Sequence, residues 1–299
     1  MPKWSGKTRG GLTGYKISVK AIKKIGLPLS YFFLRFVIVY FLFTAPKSVK
    51  SAYFYFRKIH KYHFFKSLIA IYGNFFVFGQ CLLDKIAVMS NSQKKLSFIY
   101  EGEEYLHRMA EEKTGGMLVS AHIGSFEIAG YLLKRVSTRV NILMFEAEHE
   151  NIKQYLDTVY QNMNVNIIAI KEDMSHIYEI GKAFENKEFL CLHGDRFLDG
   201  NKTLSLPFMG RNACFPAGPF YLATKFNIPV SFVFAMKESK YQYHFYASKP
   251  EYFYMEKLNL KKREEVIKEI LSAYICSLEI MLKKYPRQWF NFYYFWAEK

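Results

Sequence analysis

The chain has 299 residues, 51% of them hydrophobic and 18% aromatic, which is enough for a sizeable core in one large domain or two small ones. A formal net charge of +16 asks for an anionic partner, yet zinc-finger spacing, an RNP signature and a Gly-rich nucleotide loop are all missing, so nucleic acid is not the expected partner. Four cysteines (Cys81, Cys191, Cys214 and Cys276) are scattered without pairing or metal-ligand spacing, which argues against a disulfide framework and gives no metal site.

In chain order, residues 1–26 carry seven basic side chains and no acid, and the first acidic residue anywhere is Asp84. Soluble faces mix signs, so a one-sided stretch of this length reads as a surface facing anionic lipid, where each basic residue contributes roughly 1 kcal/mol. Residues 27–45, LPLSYFFLRFVIVYFLFTA, form the most hydrophobic window and approach the length of a membrane span. Arg35 at its middle is costly in a bilayer centre, and basic residues flank both ends, so the positive-inside rule gives no polarity. The expectation is a helix lying in the cytoplasmic leaflet of the inner membrane, with a single span as the alternative. The window lies too far along, and lacks a small-residue cleavage site, for a removed signal peptide. Residues 49–83 have helical texture and many aromatics, with His60 and His63 expected at a surface or interface. From Asp84 the composition becomes ordinary. This divides the chain into a basic, aromatic, membrane-associated region, 1–83, and an α/β domain, 84–299.

Residues 94–113 read as an amphipathic helix leading into a short apolar run that ends at Ser120. His122 and Gly124 follow at once, and Glu127 opens a run of helical spacing, so a His-x4-Glu motif falls where a strand turns into a helix. A His just past a strand end is held by a rigid sheet yet faces a cleft, and a carboxylate on one ring nitrogen leaves the other free to take a proton. Alone, such a pair arises often by chance. Strands are then expected at 140–145, 165–170 and 189–193, with helices at 152–161 and 175–186, Ser175 being a possible cap. The alternation predicts a mixed, largely parallel α/β sheet flanked by helices. Asp195 and Arg196 fall just past a strand end, as His122 does, at the edge where open α/β sheets bind ligands. His193 is expected in the core or a loop. Residues 204–216, punctuated by Pro207, Gly210 and Pro216, read as a loop containing Arg211. A helix at 217–226, a strand at 228–236 paired antiparallel with 242–247, and an amphipathic helix at 261–283 complete the pattern. Ser125 sits in IGSF, which is not a G-x-S-x-G nucleophile elbow.

Several blocks taken together resemble a family. AHIGSFEIAGYLL is similar to the first motif of the bacterial lipid A biosynthesis lauroyl/myristoyl acyltransferases, within the wider lysophospholipid acyltransferase superfamily and its His-x4-Asp/Glu signature. HGDRFLDG, LPFMGRNACFPAGPFYLATKFNIPV and the ending PRQWFNFYYFW resemble later blocks of that family in the same order, and Trp4 with Gly10 resembles its N-terminal segment. The resemblance spans nearly the whole chain. It implies O-acyl transfer from an acyl thioester, carried by acyl carrier protein or by CoA as co-substrate with no cofactor, to a hydroxyl of a lipid or glycolipid acceptor such as a lipid A precursor. His122 would be the base and Glu127 its orienting carboxylate, while Asp195, Arg196 and Arg211 would bind substrate. An acidic carrier protein and anionic membrane lipids suit the basic surface. HGDRFLDG is less rich in Asp than the matching block of several members, which leaves the acceptor open. The competing reading is a non-catalytic basic peripheral membrane protein that binds anionic lipid or a partner.

Overall fold

The computed structural model describes residues 12–89, 96–125, 128–129, 135–145, 164–171, 173–197, 200–253 and 260–296. Glu127 and the helix expected at 152–161 lie outside them. Helix α1 (Leu12–Thr44) is two helices joined across a kink at Gly26, whose φ of 74° suits glycine, with Pro28 just beyond. Helix α2 (Pro46–Phe54) starts on a proline and runs into a single π turn, Tyr55–Ile59. Helix α3 (Phe64–Met89) follows and packs along α1.

Seven strands form the main sheet: β1 (Ser97–Glu101), β2 (Gly116–Ser120), β3 (Val140–Phe145), β4 (Val165–Ile170), β5 (Phe189–His193), β8 (Val230–Lys237) and β9 (Gln242–Ala247). Their order is β1-β9-β8-β2-β5-β3-β4. Every neighbouring pair is parallel except β8 with β9. The mixed, largely parallel α/β class expected from the alternation is what forms. All five residues of β2 and all eight of β8 are buried, as befits central strands covered on both faces.

Two sequence expectations need correction. Residues 94–113 are not one helix but β1 followed by α4 (Glu103–Glu111). Gly102 between them has φ 79°, and a Cβ there would stand 2.0 Å from the Ala247 carbonyl oxygen, so chain direction changes at a residue only glycine can fill. The exposed-intermediate alternation of Ser97–Glu101 is the period-2 signal of an edge strand that the longer amphipathic reading absorbed. Residues 204–216 are likewise not a loop but an antiparallel hairpin, β6 (Thr203–Phe208) and β7 (Arg211–Pro216). Met209 and Gly210 both have positive φ, 53° and 79°, giving a two-residue turn of the primed kind that matches strand twist. Pro207 and Pro216 are tolerated because each strand of a two-stranded ribbon is an edge.

Helix α5 (His176–Glu185) packs on β4 and β5; Ser175 precedes it, but its hydroxyl makes no capping bond. Helix α6 (Gly218–Phe226) lies against α7 (Leu260–Lys284). On α7, Ile270, Tyr274 and Leu278 are fully buried, the face its spacing predicted, with Val266 and Met281 packed at its margins.

The aromatic ending then runs across the body as a strap. Trp289 bridges to Ile123 and Trp296 to Ala213. The Trp296 indole N–H donates to the Phe208 carbonyl at 3.0 Å, and the Asn74 amide of α3 donates to the Arg287 and Trp289 carbonyls, both at 2.9 Å. Phe75 and Phe78 of α3 pack with tilted rings against Phe292 and Phe290. Helix α3 is therefore fastened to the α/β body along its C-terminal half. A second fastening is buried: Lys237 at the end of β8 meets Asp84 of α3 at 2.5 Å, and the hydroxyls of Tyr31 (α1) and Tyr243 (β9) bond the same carboxylate.

Candidate active site

Strands β2 and β5 are parallel neighbours, with Ser120 opposite His193. Two residues beyond each partner, the chain places His122 and Asp195 side by side at the C-terminal sheet edge. Asp195 Oδ1 is 2.8 Å from His122 Nδ1, and Asp195 Oδ2 accepts the His122 backbone N–H at 2.9 Å. Both oxygens of one carboxylate thus fix the ring and the backbone of the same histidine. Asp195 is 1% exposed and His122 9%. Burial would raise the Asp195 carboxyl, but the charge and hydrogen bond of His122, with Arg196 and His193 nearby, hold it well below the usual carboxylate range. An ionised carboxylate only accepts, so Nδ1 carries the hydrogen of that bond.

The loop that carries His122 is held from three sides. The Gly124 N–H donates to the Gln288 carbonyl at 2.9 Å, the Ser125 N–H to Ala235 at 2.7 Å, and the Phe290 N–H to the His122 carbonyl at 2.9 Å. Gly124 has φ 59°, and a Cβ there would lie 2.2 Å from the Ala235 oxygen, so the bend needs glycine. The Tyr274 hydroxyl donates to the Ser120 carbonyl at 3.0 Å, just before the motif. The Ala129 N–H donates to the Ser125 carbonyl at 3.1 Å. The His193 ring lies 4.3 Å from that of His122. Burial and the His122 charge push His193 well below the ordinary histidine range, so it stays neutral.

This geometry brings His122 and Asp195 together. Arg196 is next to the pair and donates to the Phe290 carbonyl at 3.1 Å. Arg211 is exposed at the start of β7 with its guanidinium over the Phe54 ring at 5.4 Å, and among the described residues no contact joins it to the pair. Sequence reasoning offered Asp195 a partner in Arg196 or a substrate hydroxyl; the partner is the His122 ring. It also missed Gln288. That side chain accepts the Lys237 N–H at 2.8 Å and donates to the Lys237 carbonyl at 2.7 Å, extending β8 and aiming its own carbonyl at Gly124. Its signal in the sequence is the Gln of PRQW, in the ending that resembles the family.

Residues 70–297 match the family of bacterial lipid A biosynthesis acyltransferases. The chain belongs to that family. It is an acyltransferase that acts on lipid substrates. No curated protein sequence matches it. Among solved structures it is similar to the 1-acyl-sn-glycerophosphate (LPA) acyltransferase PlsC from Thermotoga maritima, at 13% identity and a TM-score of 0.38, over 83% of this chain and 97% of that one. Among the described residues of this acyltransferase two helical stretches, Lys24–Thr44 and Phe64–Val88, are long and apolar enough to cross a membrane. Phe32, Phe33, Phe36, Tyr40 and Phe43 of the first, with Phe64, Phe65 and Ile69 of the second, are exposed. An apolar surface of this size is what a lipid interface covers.

Proposed function

We propose that the protein is a membrane-associated O-acyltransferase in which His122 is the general base. The observation that carries this reading is the His122–Asp195 pair at the sheet edge. Nε2 of His122 takes the proton of the acceptor hydroxyl as its oxygen attacks the thioester carbonyl. Asp195 holds the Nδ1 hydrogen and stabilises the imidazolium that forms. The tetrahedral oxyanion collapses, the C–S bond breaks, and the thiolate leaves with the proton returned from Nε2. Arg196, beside the pair, is our candidate for holding the oxyanion. We assign Arg211 to an anionic substrate or to the carrier protein at the outer surface. Glu127, five residues after His122, keeps the supporting role that the family resemblance implies.

The donor we favour is acyl carrier protein, because its acidity complements a chain of net charge +16. The acceptor we favour is a lipid A precursor, which suits the family. We place the exposed faces of α1 and α3 on the cytoplasmic face of the inner membrane, lying in the leaflet rather than spanning it. The support is that Tyr31 of α1, which accepts from Lys237 of β8, and Asn74 and Asp84 of α3 are bonded to the α/β body, which a pair of free spans would not reach. The test is the initial rate of acyl transfer from acyl carrier protein by purified His122→Ala. A loss of 10²–10⁴-fold with an unchanged melting temperature is expected. Near-full activity would remove His122 as base and return the non-catalytic lipid-binding reading to first place.

A further inference from the structure

A cleft of about 480 Å³ lies between α1, α3 and the turn joining β8 to β9. Two cations line it, Arg35 from α1 and Lys240 from the turn. Among the described residues neither makes an ion pair. The Lys240 ammonium lies 5.0 Å from the Tyr241 ring centre, and the nearest acid in sequence to Arg35, Asp84, is occupied by Lys237. Gln80 of α3 also lines the cleft. It is 7% exposed, and its amide makes no hydrogen bond among the described residues. Two uncompensated cations and a buried amide with free donors therefore face one space. The remaining wall is Pro28, Phe32 and Phe76, with Tyr31, whose hydroxyl is held by Asp84. Phe32 also belongs to the exposed apolar stripe of α1.

We propose that this cleft binds the phosphate of an anionic membrane lipid. The phosphate sits between Arg35 and Lys240, the Gln80 amide donates to a phosphate or ester oxygen, and the first chain methylenes lie on Phe32 and Phe76. A cation in the middle of an apolar helix face is costly facing hydrocarbon and favourable facing a headgroup, which gives Arg35 a reason to be there. A soluble anion would have no use for the apolar wall. Strand β8 is parallel to β2, so the turn that carries Lys240 lies at the same sheet edge as His122. A lipid bound there anchors the membrane against the edge where acyl transfer takes place.

The test is binding of purified full-length protein to neutral phosphatidylcholine vesicles with and without phosphatidylglycerol, read by sedimentation. Arg35→Gln with Lys240→Gln is compared with Lys47→Gln with Lys50→Gln, an equal change of charge on the exposed side of α2. As plain surface charges, either pair should lose on the order of thirtyfold in affinity for anionic vesicles. The cleft pair should lose at least about tenfold more than the control pair, because it also loses charge-assisted hydrogen bonds. Gln80→Leu should lose about tenfold with no change of charge, and Gln80→Met replaces it if the leucine variant melts early. Equal losses for the two pairs, or wild-type binding by the Gln80 variant, overturns the proposal. So does displacement of wild-type protein from vesicles by inorganic phosphate alone, which would make free phosphate the ligand. The proposal rests on the membrane-associated reading. Wild-type protein that ignores every vesicle sinks both, whereas the comparisons above sink the cleft alone, and none of them depends on turnover.

Discussion

Replacing Asp195 by asparagine tests the site more sharply than removing it. The native carboxylate has two acceptors in use, Oδ2 for the His122 backbone N–H and Oδ1 for the ring Nδ1–H. Asparagine has one oxygen. The backbone N–H cannot turn away, so that oxygen must serve it, and the amide NH₂ then faces the ring. Nδ1 becomes an acceptor, the hydrogen moves to Nε2, and the base is lost although every heavy atom stays in place. The same change of tautomer in a serine-protease triad costs about 10⁴-fold, or roughly 5 kcal/mol of transition-state stabilisation. The expectation for Asp195→Asn is a fall in kcat/KM of about 10³–10⁴-fold with little change in vesicle binding. Steady-state acyl transfer from acyl carrier protein measures it, with thermal melting as the folding control. Glu127→Gln should cost less than Asp195→Asn. If Glu127→Gln is the more damaging and Asp195→Asn keeps activity within about tenfold, then the ring is oriented by Glu127 and the reasoning from the Asp195 geometry fails.

Gly124→Ala should lower both melting temperature and rate, because a left-handed residue costs roughly 1–2 kcal/mol before its Cβ meets the Ala235 oxygen; an unaltered melt would mean the bend is not as described. Lys237→Met should destabilise by about 3–5 kcal/mol by leaving Asp84 buried without its cation, and Asp84→Leu in the same chain should restore much of that in urea unfolding. Burial already pushes the Asp84 carboxyl up against the pull of Lys237 and the two tyrosine hydroxyls. Without Lys237 its folded value rises further, so the loss should be small below the wild-type folded value, grow as pH rises from there towards the raised one, and level off above it; a loss independent of pH would contradict this. His60, packed among Tyr55, Phe56 and Tyr62, is lowered to about 4 by burial first and Lys66 second. A depressed histidine gives stability that is present above its unfolded value, about 6.5, and lost as pH falls towards its folded one. His60→Gln should therefore flatten the fall in melting temperature between those values, and an equally steep fall would place the acid sensitivity elsewhere.

Much of the sheet was legible because buried parallel strands are short apolar runs bounded by turns, and β3, β4 and β5 read that way with nothing competing. Where two signals overlapped, the longer one misled. The apolar positions of β1 and α4 together imitate one amphipathic helix, and only the backbone demand at Gly102 separates them. In the hairpin of β6 and β7 the prolines read as breaks, since sequence does not reveal that both strands are edges. The resemblance located His122, but the partner of its ring is 73 residues away. The sequence placed both residues just past strand ends. It could not say that β2 and β5 are neighbours in register, which is what joins the pair.

That long-range register also explains why the aromatic ending and the N-terminal helices belong to the same machine. The loop of His122 has few bonds of its own. It is fixed by Gln288 and Phe290 of the strap, and the strap is fixed by Asn74 of α3 and by the end of β8 through Lys237. Lys237 in turn reaches Asp84 and Tyr31, the groups that hold α3 and α1 to the body. A chain of hydrogen bonds and one buried ion pair therefore runs from the proposed lipid-facing helices to the loop of His122. Such networks hold geometry only while every member is satisfied, because an unpaired group inside them costs more than the bond it lost. Gln288→Leu breaks this chain at a single point that touches neither the proposed base nor the membrane face. It should cut the rate while sparing vesicle binding, and rate and binding measured on the same preparation decide it. A Gln288→Leu protein with full activity would mean that the strap only closes the core and does not position His122.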